Sequence, residues 1–167
     1  MIRLKNLLFE MARAPIYHST SIVNAAKIVN SNTLARAKLE FDPTAEFGSF
    51  RLKTVLHPGI ISFSRDPKYR VQGATSHVVF QLDTDKVRQH YKMTPRVGTD
   101  LDFRFKQYQV KREAEEGVVG PIKPLDAYLM AIYIDKKAYK ELEGFATSKY
   151  TKDEYIKLYK HPKLTVR

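Results

Sequence analysis

Three short runs hold side chains able to bind and activate a polar ligand. The first is Ile16-Tyr17-His18-Ser19-Thr20-Ser21. It reads as a strand end, then a hydroxyl-rich turn, then a helix from Ile22 to Asn30. Two readings of His18 are open: a structural histidine bonded to a backbone group, or a donor to a ligand hydroxyl. Ser19 and Thr20 add hydroxyl donors. The helix N-terminus beyond them adds unpaired amides suited to phosphate or carboxamide groups.

The second run is Gly59-Ile60-Ile61-Ser62-Phe63-Ser64-Arg65-Asp66. Strand alternation puts Ser62 and Ser64 on one face and Ile61 and Phe63 on the other, so two hydroxyls can line a polar cleft. Arg65 offers a planar fork for phosphate, or else pairs with Asp66 or another surface acid. Tyr69 either stacks on a ligand ring or packs.

The third run is Glu113-Ala114-Glu115-Glu116. In an extended segment Glu113 and Glu115 share a face and Glu116 takes the other. A carboxylate in a cleft polarises a hydroxyl nucleophile or stabilises a sugar cation. The plainer reading is an acidic run solvated beside Lys111 and Arg112.

The elements that must position these runs follow from periodicity and turn chemistry. Apolar residues at Ile2, Leu4, Leu7, Leu8 and Met11 predict a docking helix within residues 1–14, broken before Pro15. Ser21 caps the helix whose apolar face is Ile22, Ala25, Ala26 and Val29. Residues 35–58 carry turn signals and weak periodicity, and read as a lid loop. Strands are expected over Ile60–Ser64, His77–Asp83, Glu115–Val119 and Tyr128–Ile134. Asp83-Thr84-Asp85 caps a short turn or helix over Lys86–His90, and residues 94–108 read as loop. Lys136–Glu143 is helical, and Thr151 with Glu154 forms a capping box before a C-terminal helix. Helices mixed with short, non-alternating strands predict an α+β fold in a single domain over 1–167.

Composition narrows the function classes. The 167 residues include no cysteine, so disulfides, thiolate metal sites and cysteine nucleophiles are excluded. The remaining histidines lack metal-ligand spacing, and no metal is expected. There is no glycine-rich dinucleotide fingerprint, phosphate-cradling loop or nucleophile elbow. No apolar run reaches the length of a membrane helix, and the N-terminus is a poor secretion signal, so the expected location is the cytoplasm and no membrane partner is expected. The net charge of +11 favours polyanions, namely nucleic acid, nucleotides or acidic partners, or else reads as a solubilising lysine surface; as an acceptor it favours a nucleic acid or a protein bound to one.

Taken in order, the three runs resemble the motifs of the ADP-ribosyltransferase superfamily. Tyr17-His18-Ser19-Thr20, with Ala25, Ala26 and Ile28 in the helix after it, is similar to the family's Tyr-His-Gly-Thr strand end and helix. Gly59 to Asp66 resembles its second strand, of the type Gly-Ile-Tyr-Phe-Ala or Ser-Phe-Thr-Arg. Glu113 to Val119 resembles the glutamate that opens a late strand. The whole chain is also similar to small phage proteins of this type. The resemblance implies a split, mostly antiparallel β core with flanking helices, holding NAD as substrate. It implies that His18 holds the nicotinamide ribose, with Ser19, Thr20, Ser62, Phe63, Ser64, Arg65 and Tyr69 around the dinucleotide. It implies that one of Glu115, Glu116 and Glu113 is catalytic, and that Arg65 serves NAD binding as in DNA-modifying members. Ser62 stands where the family's tyrosine is usual and Ser19 where glycine is, so nicotinamide stacking falls to Phe63 or Tyr69. The superfamily also includes inactive members and RNA 2′-phosphotransferases. The expected function is ADP-ribose transfer to a nucleic acid or protein. The alternatives are an RNA 2′-phosphotransferase and a basic nucleic-acid-binding or virion-associated module without catalysis.

Overall fold

The computed structural model describes residues 14–35, 60–65, 78–96, 115–149 and 152–167. The expected docking helix (bar Ala14), most of the lid loop, Tyr69 and Glu113 lie outside them. Within them the chain is α+β, as its pattern of elements predicts.

Strand β1 (Ile16–Thr20) leads into helix α1 (Ile22–Ser31). Ser21 caps α1 by accepting from the Asn24 amide at 3.3 Å, and Asn32 ends it in the left-handed conformation. Strands β2 (Ile60–Phe63) and β3 (Val78–Leu82) follow, then α2 (Thr84–His90), capped by Asp83. Strand β4 (Met93–Arg96) replaces the expected loop start. Strand β5 is Glu115–Val119, and a 3-10 turn at Leu125–Ala127 leads into β6 (Leu129–Ile134). Helices α3 (Lys136–Thr147) and α4 (Asp153–Tyr159) and strand β7 (Leu164–Val166) complete the described chain. The N-cap of α4 is Lys152, with no side-chain cap bond, and Thr151 of the expected capping box lies outside the described residues.

These strands form two sheets. One runs β1-β3-β6-β7, antiparallel except for the β6–β7 pair, and the other runs β2-β5-β4, antiparallel throughout. Among the described residues a single antiparallel bridge joins β1 to β2: the Tyr17 amide donates to Ser64 O at 2.8 Å, and the Ser64 amide donates to Tyr17 O at 2.9 Å.

Register explains which faces are buried. On β1, Ile16, His18 and Thr20 sit opposite Leu82, Phe80 and Val78. Phe80 and Val78 are in turn opposite Ile132 and Ile134 on β6. The aliphatic and aromatic members of this face are buried. Ala25, Ala26, Ala138, Leu142 and Leu158 from three helices join the same core, and Ile61, Phe63 and Val118 bring in the second sheet. Each large side chain removed from water there contributes roughly 1.5–3 kcal/mol. His18 therefore lies on the apolar face of its sheet, beside the seam between the two sheets.

Candidate functional site

The β1–β2 seam brings the first two runs together. One position past the Tyr17–Ser64 bridge, His18 Nδ1 lies 3.1 Å from the Ser62 carbonyl. A carbonyl only accepts, so Nδ1 carries the proton. Burial lowers the His18 pKa, and the bond to Ser62 offsets this only partly. The ring is therefore neutral at ordinary pH, with Nε2 as an acceptor. The backbone-bonded reading of His18 describes Nδ1. The ring is bonded to backbone on one side, and its other nitrogen accepts rather than donates.

Phe63 is the next member of this face. Its ring centroid lies 5.7 Å from that of His18, tilted by 59°. In the β2–β5 ladder Phe63 is opposite Glu116, and Ile61 is opposite Val118. Residues opposite each other in a ladder share a face, so Glu116 projects to the side that carries Phe63. Ser62 is half-buried within β2 and opposite Gly117, whereas Ser64 is buried beyond the end of β2, where its backbone joins β1.

Arg65 ties the second run to the third. Its guanidinium donates to Glu116 Oε1 from Nε at 2.8 Å and again from Nη2. Nη1 donates to the Ala14 carbonyl and, at 3.3 Å, to Thr84 Oγ1. The Thr84 hydroxyl donates onward to Ala14 O at 2.6 Å. The guanidinium expected to bind phosphate is thus engaged inside the protein, where it fixes a carboxylate. Arg88 from α2 approaches the same Glu116 oxygen at 3.8 Å. The other oxygen, Oε2, is buried and makes no hydrogen bond among the described residues. A buried acceptor left unmade costs about 1–3 kcal/mol, and a ligand hydroxyl donating to it would recover that cost.

Glu115 opens β5 in register with Arg96 of β4. Ser19 and Thr20 complete β1 as half-buried residues in register with Val79 and Val78. Thr84, Arg88 and the Ala14 carbonyl are members of the cluster that sequence reasoning missed. Thr84 reads as part of a helix cap, and only its burial reveals that it serves the arginine. Among the described residues no three histidine, aspartate or glutamate side chains group as metal ligands, and no helix is long and apolar enough to cross a membrane.

No protein-family model matches the chain, and no curated protein or solved structure matches it either.

Proposed function

We propose that this protein transfers ADP-ribose from NAD to a macromolecular acceptor, a nucleic acid or a protein bound to one. The observation that carries the reading is the meeting of the three runs at one seam. His18 is bonded to Ser62, Phe63 lies beside the His18 ring and opposite Glu116, and Arg65 is paired with Glu116. Two largely antiparallel sheets joined at one bridge accord with the split core that the resemblance implies.

Each side chain then has a defined task. The neutral His18 ring accepts from a hydroxyl of the nicotinamide ribose at Nε2. Phe63, buried beside the His18 ring, backs the apolar floor under the nicotinamide. The bond from ribose C1′ to the nicotinamide nitrogen breaks, its electron pair leaves on nicotinamide, and the ribose acquires oxocarbenium character. A carboxylate at the seam stabilises that cation and accepts the acceptor's proton as the acceptor bonds to C1′. Glu116 is the carboxylate we assign to this task, because Arg65 holds one of its oxygens and leaves the other unpartnered among the described residues. Glu115 and Glu113 are the alternatives at the same strand opening.

The reading is tested by measuring nicotinamide release from NAD by the wild type, Glu116→Gln and His18→Ala. Glu116→Gln lowers kcat by about 10²-fold or more if it does this work. His18→Ala lowers turnover in a protein that remains folded by circular dichroism. Unchanged turnover in both variants would overturn the site assignment.

A further inference from the structure

A second concave site lies away from the seam, where the end of α1, the 3-10 turn, α4 and the turn before β7 meet. It is an open groove of about 560 Å³. That lies within the range typical of small-molecule sites, about 300–1,000 Å³. Lys157, Lys160 and Lys163 line it against one carboxylate, Asp126. Like charges gathered in a concavity repel, a cost that a bound anion relieves.

Two of the lysines are held in place. Lys157 Nζ donates to Asn30 Oδ1 at 2.7 Å. Lys163 Nζ donates to the Leu129 carbonyl at 2.6 Å and to the Asp126 carbonyl at 3.3 Å. Since an ammonium has three donors, each keeps at least one for a ligand. Lys160, the C-cap residue of α4, is exposed. His161 Nδ1 accepts from the Lys163 amide at 3.2 Å, which leaves Nε2 as the protonated nitrogen, 3.6 Å from Asp126 Oδ1. The lining also holds apolar side chains, Val29, Ile156 and Pro162. Cations and apolar side chains in one lining match a phosphate joined to a flat base. An inorganic anion alone would leave the apolar residues unused.

We propose that this cleft binds a phosphate-bearing nucleotide unit, with the phosphate on Lys157, Lys160 and Lys163 and the base against Val29, Ile156 and Pro162. The unit comes either from a free mononucleotide or from a nucleic-acid strand. The proposal stands independently of the NAD reading, since it uses none of the seam residues.

The test is calorimetric titration of the full chain with adenosine 5′-monophosphate, adenosine, inorganic phosphate and a single-stranded oligonucleotide. Adenosine 5′-monophosphate binds at least about tenfold more tightly than adenosine or phosphate alone, because both the cations and the apolar residues of the cleft are engaged. Lys160→Glu and Lys157→Glu each weaken it by about tenfold or more. In the wild type the nucleotide shifts backbone amide resonances of residues 156–163. An oligonucleotide that binds more tightly than the mononucleotide, and loses the gain in Lys160→Glu, identifies the strand as the source. Equal affinity identifies the free nucleotide. Nucleotide binding that is undetectable at millimolar concentration, or insensitive to both charge reversals, would overturn the proposal.

Discussion

Arg65 and Glu116 have side-chain exposures of 15% and 16%, so neither charge is well solvated. Removing one partner leaves the other buried and uncompensated, at a cost of about 3–5 kcal/mol. We expect Arg65→Ala to lower stability by about that much, and Arg65→Ala with Glu116→Gln to recover part of the loss. A double-mutant cycle by chemical denaturation measures the coupling. Additive effects would show that the pair contributes little. The histidines give a pH dependence with a definite sign. Burial lowers the pKa of His18, and likewise that of His161, where Asp126 opposes the effect. In the unfolded chain both titrate near 6.5. As pH falls through that value the unfolded state takes up protons that the folded state refuses. Stability is therefore full above it and is lost as pH falls toward the folded values. The melting temperature should fall on acidification below pH 6.5, and less steeply in His161→Gln. An identical profile in the variant would contradict the assignment. The types of these residues were legible in the sequence, but their partners were not. His18 and Ser62 lie 44 positions apart, and Arg65 and Glu116 lie 51 apart. Such pairings depend on strand register, which no local spacing encodes.

The elements that were legible are those with strong local signals. Ser21 and Asp83 sit before apolar-periodic segments and cap the helices expected of them. Val78–Leu82 alternates buried and half-buried positions, as its residues predict. Strand β4 was hidden by Pro95, which argues against a strand, yet β4 pairs with β5 alone and occupies the sheet edge where proline is tolerated. Strand β7 has three residues, too few for any periodicity to register. Helix α3 runs four residues past the expected Glu143, and Leu142 packs in the core. The caps also differ in a testable way. Asp135 accepts from the Ala138 amide at 2.8 Å, whereas Lys152 gives α4 no side-chain cap. Asp135→Ala should cost about 1 kcal/mol, and Lys152→Ser should add up to about 1 kcal/mol. No change in either variant, read by thermal denaturation, would mean that these helix ends are stabilised by packing alone.

Across the whole molecule, 29 lysines and arginines stand against 18 aspartates and glutamates. An excess of that size attracts polyanions at long range, and the attraction is screened by salt. Nucleic-acid binding should therefore weaken steeply between 50 and 200 mM salt, by at least about tenfold. Salt-insensitive binding would point to apolar or base-specific contacts instead. Charge favours an acidic or nucleic-acid-bound acceptor but selects no chemistry. We place the proposed chemistry at the seam, where a neutral imidazole, an aromatic ring and a carboxylate meet. The claim is most directly tested by incubating the pure protein with NAD labelled in its adenylate moiety, alone and with DNA, RNA or cell lysate, while following nicotinamide. The account predicts nicotinamide release with label transferred to a macromolecule, both reduced in Glu116→Gln and His18→Ala. Intact NAD under every condition, with no NAD binding by calorimetry, would contradict it and leave a basic nucleic-acid-binding module as the better description.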